Sequence, residues 1–165
     1  MRVDRSRLPE VGSDPPFTFP SVRKVVLPSG LSVWSVEHRK IPVVSCLLLL
    51  PGGSAGDPGG QAGVTSLTAA LLDEGCGEHS GLELYRLLGR LGTQLNVRVG
   101  MDATTLRLTM LRRFADKVLT LLAELVGVPR FELEAFERLR KLRLDRLAQL
   151  REVPSAIADR AFAHV

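Results

Sequence analysis

The chain has 165 residues, 45% hydrophobic and 24% charged, a size and balance that suit one compact domain with a sizeable core. No apolar run approaches the ~18 residues of a membrane-spanning helix, so no membrane span is expected. The net charge of +4 is an arginine excess, much of it between Arg138 and Arg151. Two cysteines, Cys46 and Cys76, are too few for a disulfide framework.

The basic stretch reads as a solvated helix face and not as a nucleic-acid patch. Glu134 with Arg138, and Glu137 with Lys141, stand at i,i+4 in the favourable order. No aromatic side chains interleave with the cations to stack on bases. Residues 1–20 are Pro-rich and read as an extended arm. They lack the apolar region of a secretory signal, so a cytoplasmic location is expected, or a periplasmic one if the start was processed.

Val22 to Leu27 alternates and meets Pro28-Ser29-Gly30, after which Leu31 to Glu37 predicts the second strand of a hairpin. Ile41 to Leu50 predicts the most buried strand, with Cys46 as a small core residue. The loop from Gly52 to Gly60 holds five glycines in nine residues. A helix is expected over 61–74, where Val64, Leu67 and Leu71 recur at i, i+3 and i+7 and Gly75 suits C′. Ser80-Gly-Leu-Glu83 is a capping-box pattern that opens a second helix. Its stripe is Leu84, Leu87, Leu88 and Leu91, and Gly92 closes it.

Leu95, Val97 and Val99 alternate with polar residues, as do Leu106, Leu108 and Met110, which predicts two half-buried antiparallel strands. A helix over 114–126 turns Phe114, Val118, Leu121, Leu122 and Leu125 inward, and a long helix starts near Glu132. Pro154 breaks it, and SAIADRAFAHV restarts a helical pattern with no stop signal, as if the chain ended inside an element. Strands and helices in separate clusters argue an α+β fold, a mostly antiparallel sheet with helices on one face. The expected organisation is the arm over 1–20 and one domain over 21–165.

This order of elements, with Leu27-Pro-Ser-Gly-Leu-Ser-Val33, Gly53-Ser-Ala-Gly-Asp-Pro-Gly-Gly-Gln-Ala-Gly63 and Leu71-Leu-Asp-Glu-Gly75, resembles the N-terminal half of the pitrilysin/insulinase family. Asn96 and Thr104 at a spacing of eight, and Glu137-Arg138 on the long helix, extend the resemblance. Active members of that family carry H-x-x-E-H on the helix after the Gly-rich loop. The i,i+4 spacing lets two imidazoles grip one zinc, and the glutamate beside them takes a proton from the bound water.

In the matching segment Ser66 and Ala70 stand in place of the histidines and Ala69 in place of the glutamate. The third-ligand position falls on Leu144 or Arg146, beside Asp145. No catalytic residue, metal or cofactor is therefore expected. By the resemblance, Asn96 and Val97 lie on the strand that pairs with extended peptide. The resemblance implies a non-catalytic partner of a zinc-bearing family member, in a heterodimer that helps enclose peptide substrates. A structural or assembly role, like that of the respiratory core proteins and with self-association, is the alternative.

Other constellations read as structural. Cys76 and His79 have C-x-x-H spacing without a second pair, and read as part of a polar loop. The other histidines are His38 and His164. Ser66 has no neighbouring His base, and the Gly-rich loop lacks G-x-x-x-x-G-K-[ST].

Overall fold

The computed structural model describes residues 12–14 and 16–163. Residues 1–11 and 15 of the N-terminal arm, and His164, lie outside them, and the described arm residues 12–14 and 16–20 are in no helix or strand. The chain divides into two compact units, residues 1–41 and 42–165. In the first, β1 (Val22–Val26) and β2 (Ser32–Val36) pair antiparallel, Val22 opposite Val36. Gly30 turns the chain at φ +85°, which a side chain would resist. The Lys24 ammonium sits 4.9 Å from the Trp34 ring centre.

The second unit is built on an antiparallel three-stranded sheet in the order β3 (Val43–Pro51), β7 (Ala103–Leu111), β6 (Asn96–Val99). Between β3 and β6 the chain forms α1 (Val64–Leu71), the two-residue strands β4 (Gly75–Cys76) and β5 (His79–Ser80), and α2 (Gly81–Arg90). After β7 come α3 (Ala115–Gly127), α4 (Leu133–Arg151) and α5 (Pro154–Ala163). Among the described residues no helix is long and apolar enough to cross a membrane.

The core lies between the inner face of the sheet and α2 and α3. Leu106, Leu108 and Met110 of β7 meet Leu84 and Leu88 of α2 and Val118, Leu121 and Leu125 of α3. These are the residues whose alternation and helical stripes mark them in the sequence. The α+β reading with helices on one face describes this arrangement.

The strand expected to be most buried is not. β3 is an edge strand with helices on only one side, so Leu47 and Leu49 stand 59% and 56% exposed on the outer face. Of the three strands in this sheet the most buried is β7, paired on both sides, with Leu106 fully buried. Cys46 is half-buried, packed against the core from the inner face.

The capping box opens α2 as expected: the Ser80 N–H and hydroxyl both donate to Glu83, at 2.9 and 2.7 Å. Gly92 at φ +64° closes it in a Schellman arrangement, with Thr93 N–H on the Leu88 carbonyl and Gly92 N–H on that of Gly89. Gly75 departs from expectation. It follows a short 3-10 turn (Leu72–Glu74) and is not left-handed helical, having φ +134° and ψ 159°. Glycine is needed there because a Cβ would come within 2.6 Å of the His79 carbonyl oxygen.

The i,i+4 pairs expected on α4 do not form among the described residues. Arg138 instead makes an ion pair with Glu74 across the fold, and Arg140 pairs with Glu137 at 3.5 Å. The bridge to a different element wins because α4 lies against α1.

Burial on the two faces sets a prediction. Leu106→Ala should cost about 2–5 kcal/mol in urea unfolding, and Leu47→Ala on the open face less than about 1 kcal/mol. Equal losses would contradict the assignment of inner and outer faces.

Candidate functional site

The Gly-rich loop is anchored at both ends. Ser54 N–H donates to the Gly100 carbonyl and Ala55 N–H to that of Met101, at 2.9 and 3.0 Å, which ties the loop to the β6–β7 turn. Gly53 has no room for a side chain, since a Cβ would lie 2.4 Å from the Gly100 oxygen. The buried Thr104 hydroxyl donates to the Gly52 carbonyl at 3.0 Å. At the other end Asp57 caps α1, accepting from Gly63 N–H at 2.6 Å and from Thr65 N–H at 3.0 Å. The Thr65 hydroxyl donates to the same carboxylate. These bonds, the Thr65 hydroxyl first, hold the Asp57 carboxyl below its ordinary value.

On α1, Ser66 is half-buried, Ala69 buried and Ala70 exposed. None of the three offers a nitrogen or carboxylate donor. On α4, which packs against α1, Leu144, Asp145 and Arg146 are all exposed. Two arginines of α4 reach the ends of α1. Arg138 holds Glu74 beyond one end, and the Arg143 guanidinium stands 3.4 Å from where a Cβ on Gly63 would lie at the other. No group of three or more His, Cys, Asp or Glu suited to a metal occurs among the described residues. The residues present do not fit a zinc ion here.

Cys76 and His79 face each other across the β4–β5 pair, an element absent from the sequence reading. Cys76 is fully buried, contrary to a polar loop, and burial followed by Glu124 pushes its thiol up. A protonated, enclosed thiol is a core residue.

The strand β6 ends the sheet, and its outer edge pairs with no described strand. The ladder decides which backbone groups that edge presents. Gly100 N–H donates to the Ala103 carbonyl at 2.8 Å, so position 100 faces β7, as do 98 and 96 in the same register. The N–H and C=O of Val97 and Val99 therefore point away from the sheet. Beside this edge lies a groove of 1010 Å³, bordered by Tyr85 and Gly89 of α2, by Asn96 and Arg98, and by Arg107 of β7. The Asn96 side chain is exposed on the outer face, and that of Val97 packs inward against the core. The two candidate residues thus differ in part: Val97 presents backbone, Asn96 a side chain. Arg98 and Arg107 were not singled out in the sequence, although the alternation of both strands places them on the outer face.

Two predictions follow from α1. Asp57→Ala should lower the thermal midpoint at pH 7. Its folded-state pKa is depressed, so its stabilisation is complete above about pH 4 and fades as pH falls through the depressed value. The gap between variant and parent in a melting series should close below that point, and a gap independent of pH would exclude the charged cap as its origin. Zinc should leave the parent's melting unchanged, whereas Ser66→His with Ala70→His, an i,i+4 pair, should gain a zinc-dependent rise. An equal rise in the parent would reveal donors elsewhere.

Residues 32–163 match the family model described as insulinase, peptidase family M16. A curated relative from Helicobacter pylori (strain ATCC 700392 / 26695), the "Non-peptidase homolog YmxG", is 28% identical over 113 residues, 68% of this chain and 26% of the relative. Among solved structures, a peptidase M16 inactive domain from Pseudomonas fluorescens superposes with a TM-score of 0.79 at 26% identity, over 84% of this chain and 34% of that one. A protease from Helicobacter pylori superposes with a TM-score of 0.75 at 24% identity, with the same coverage, and speaks to the fold alone. The chain thus spans about a quarter of the curated relative and about a third of each solved chain.

Proposed function

The chain belongs to the insulinase family, peptidase family M16, and from that premise we propose that it is a non-catalytic member that holds extended peptide on the β6 edge and works beside a zinc-bearing relative. The observation that carries this reading is a divergence between two neighbouring elements. α1 has lost every side chain that would hold a metal or move a proton. β6 keeps an open ladder of backbone donors and acceptors at Val97 and Val99.

The chemistry follows from that divergence. A zinc peptidase needs a Lewis acid to activate water, and Ser66, Ala69 and Ala70 supply neither the metal's ligands nor a general base. Strand addition needs only unpaired backbone and room for the incoming side chains. The groove beside Tyr85 and Asn96 offers that room. The descriptions of the relatives as a non-peptidase homolog and an inactive domain support the loss of chemistry. In this reading residues 21–165 form the family-like domain, Asn96 and Val97 are its peptide contacts, and the partner contributes the metal.

The test is hydrolysis of a quenched-fluorescent peptide by the full-length protein with its nearest H-x-x-E-H-bearing relative from the same genome. The expected outcome is no turnover by this protein alone and a several-fold gain over the relative alone, lost on chelation of zinc. A relative whose rate ignores this protein would favour the structural role with self-association.

A further inference from the structure

The β6 edge is not electrically neutral. Side chains at Asn96 and Arg98 stand on the outer face of the sheet, and Arg107 on β7 lies directly opposite Asn96. Arg98 and Arg107 are therefore diagonal neighbours, a relation that sets residues about 7–8 Å apart and their Cβ atoms somewhat closer. Both are exposed, and among the described residues neither guanidinium has a hydrogen-bond or ion-pair partner. The other outer-face positions nearby are Thr105 and Thr109 on β7 and, on β3, Leu47 opposite Arg107 and Leu49 opposite Thr105, none of them charged. Asp73 is the one carboxylate bordering the groove among the described residues. Two unpaired, like-charged groups placed this close repel each other, and an anion between them removes the repulsion.

We propose that this edge selects extended peptides carrying acidic side chains at alternate positions, held by Arg98 and Arg107. The proposal rests on β6 being the peptide-binding strand. A strand added there bonds to the outward N–H and C=O of Val97 and Val99, which sets its register. Its residues opposite Asn96 and Arg98 then point to the outer face, since side chains at paired positions share a face. A carboxylate opposite Arg98 lies within its reach for a paired N–H···O contact. Arg107, one strand further in, has a side chain long enough to meet the carboxylate opposite Asn96. The intervening residue points to the inner side, where Val97 packs on the core, and an apolar residue suits it. The preferred pattern is acidic, apolar, acidic.

The test uses fluorescence anisotropy with the full-length protein and fluorescein-labelled peptides. One peptide has glutamates at alternate positions between valine and threonine, and a second has glutamine in their place. Four proteins are compared: the parent, Arg98→Gln with Arg107→Gln, Arg98→Glu with Arg107→Glu, and Val97→Pro. Both arginines are exposed, and proline at an outward-facing edge position removes no ladder bond to β7, so all four should fold. The parent should bind the glutamate peptide about 10-fold tighter than the glutamine peptide, with the difference shrinking as salt rises. The Gln variant should bring the two within about 2-fold, the Glu variant should reverse the preference, and Val97→Pro should weaken both peptides. Equal binding of the two peptides by the parent, lost in Val97→Pro, would overturn the charge selection and leave the edge reading standing. Glutamate-dependent binding that ignores Val97→Pro would mean an ordinary anion patch, and would sink the edge reading and the proposal together. Binding of neither peptide would also overturn both.

Discussion

The register of β7 is the constraint on which the rest of this molecule depends. β7 pairs on both sides, Val43 opposite Leu111 on one flank and Asn96 opposite Arg107 on the other. Because side chains alternate with a period of two, a slip of one residue would carry Leu106, Leu108 and Met110 out of the core and Arg107 into it. Burying a guanidinium without a partner costs far more than the slipped pairing could return. Hydrophobic burial against α2 and α3 therefore pins the register. The same register settles the backbone: even positions of β7 bond toward β3 and odd positions toward β6. The outward-facing groups at Val97 and Val99 follow from packing on the far side of the sheet.

The contrast between α1 and β6 has a physical logic. A metal site depends on several donors held to a fraction of an ångström, and it fails when any is lost. A strand edge depends on backbone groups that every residue except proline carries. Substitutions can thus empty α1 of chemistry without touching the neighbouring edge. The loop before α1 keeps its geometry through glycines and the Asp57 cap, and α4 sets Arg143 beside Gly63 at one end of α1 and Arg138 against Glu74 just beyond the other. An exposed pair such as Arg138 with Glu74 contributes at most about 1 kcal/mol, so it orients α4 more than it stabilises it.

How much could be read in advance varied with the range of the interaction. Local signals translated directly: Ser80 with Glu83 opened α2, Gly92 closed it, and the alternation of Leu106, Leu108 and Met110 marked the inner face. The absence of histidine from α1 needed no structure at all. What failed was each judgement that depended on a neighbour distant in sequence. The run from Val43 to Leu50 is apolar on both faces, and nothing local says that it lies at an edge with one face open. Arg138 had a suitable partner at i−4, and only the approach of α4 to α1 sent it to Glu74. Cys76 looked loop-like because the two-residue pairing with His79 is too short to leave a pattern.

The sequence by itself determined the elements apart from the β4–β5 pair, the inward faces of α2, α3 and β7, the family resemblance and the emptied metal helix, because each is written in residue type and short-range spacing. The tertiary structure alone decided which strand is central, which backbone groups of β6 face outward, and that Arg98 and Arg107 stand together without partners among the described residues. Those properties arise from pairings between segments far apart in the chain. Their free energy comes from burial and hydrogen-bond geometry that exist only once the sheet and its helices have assembled.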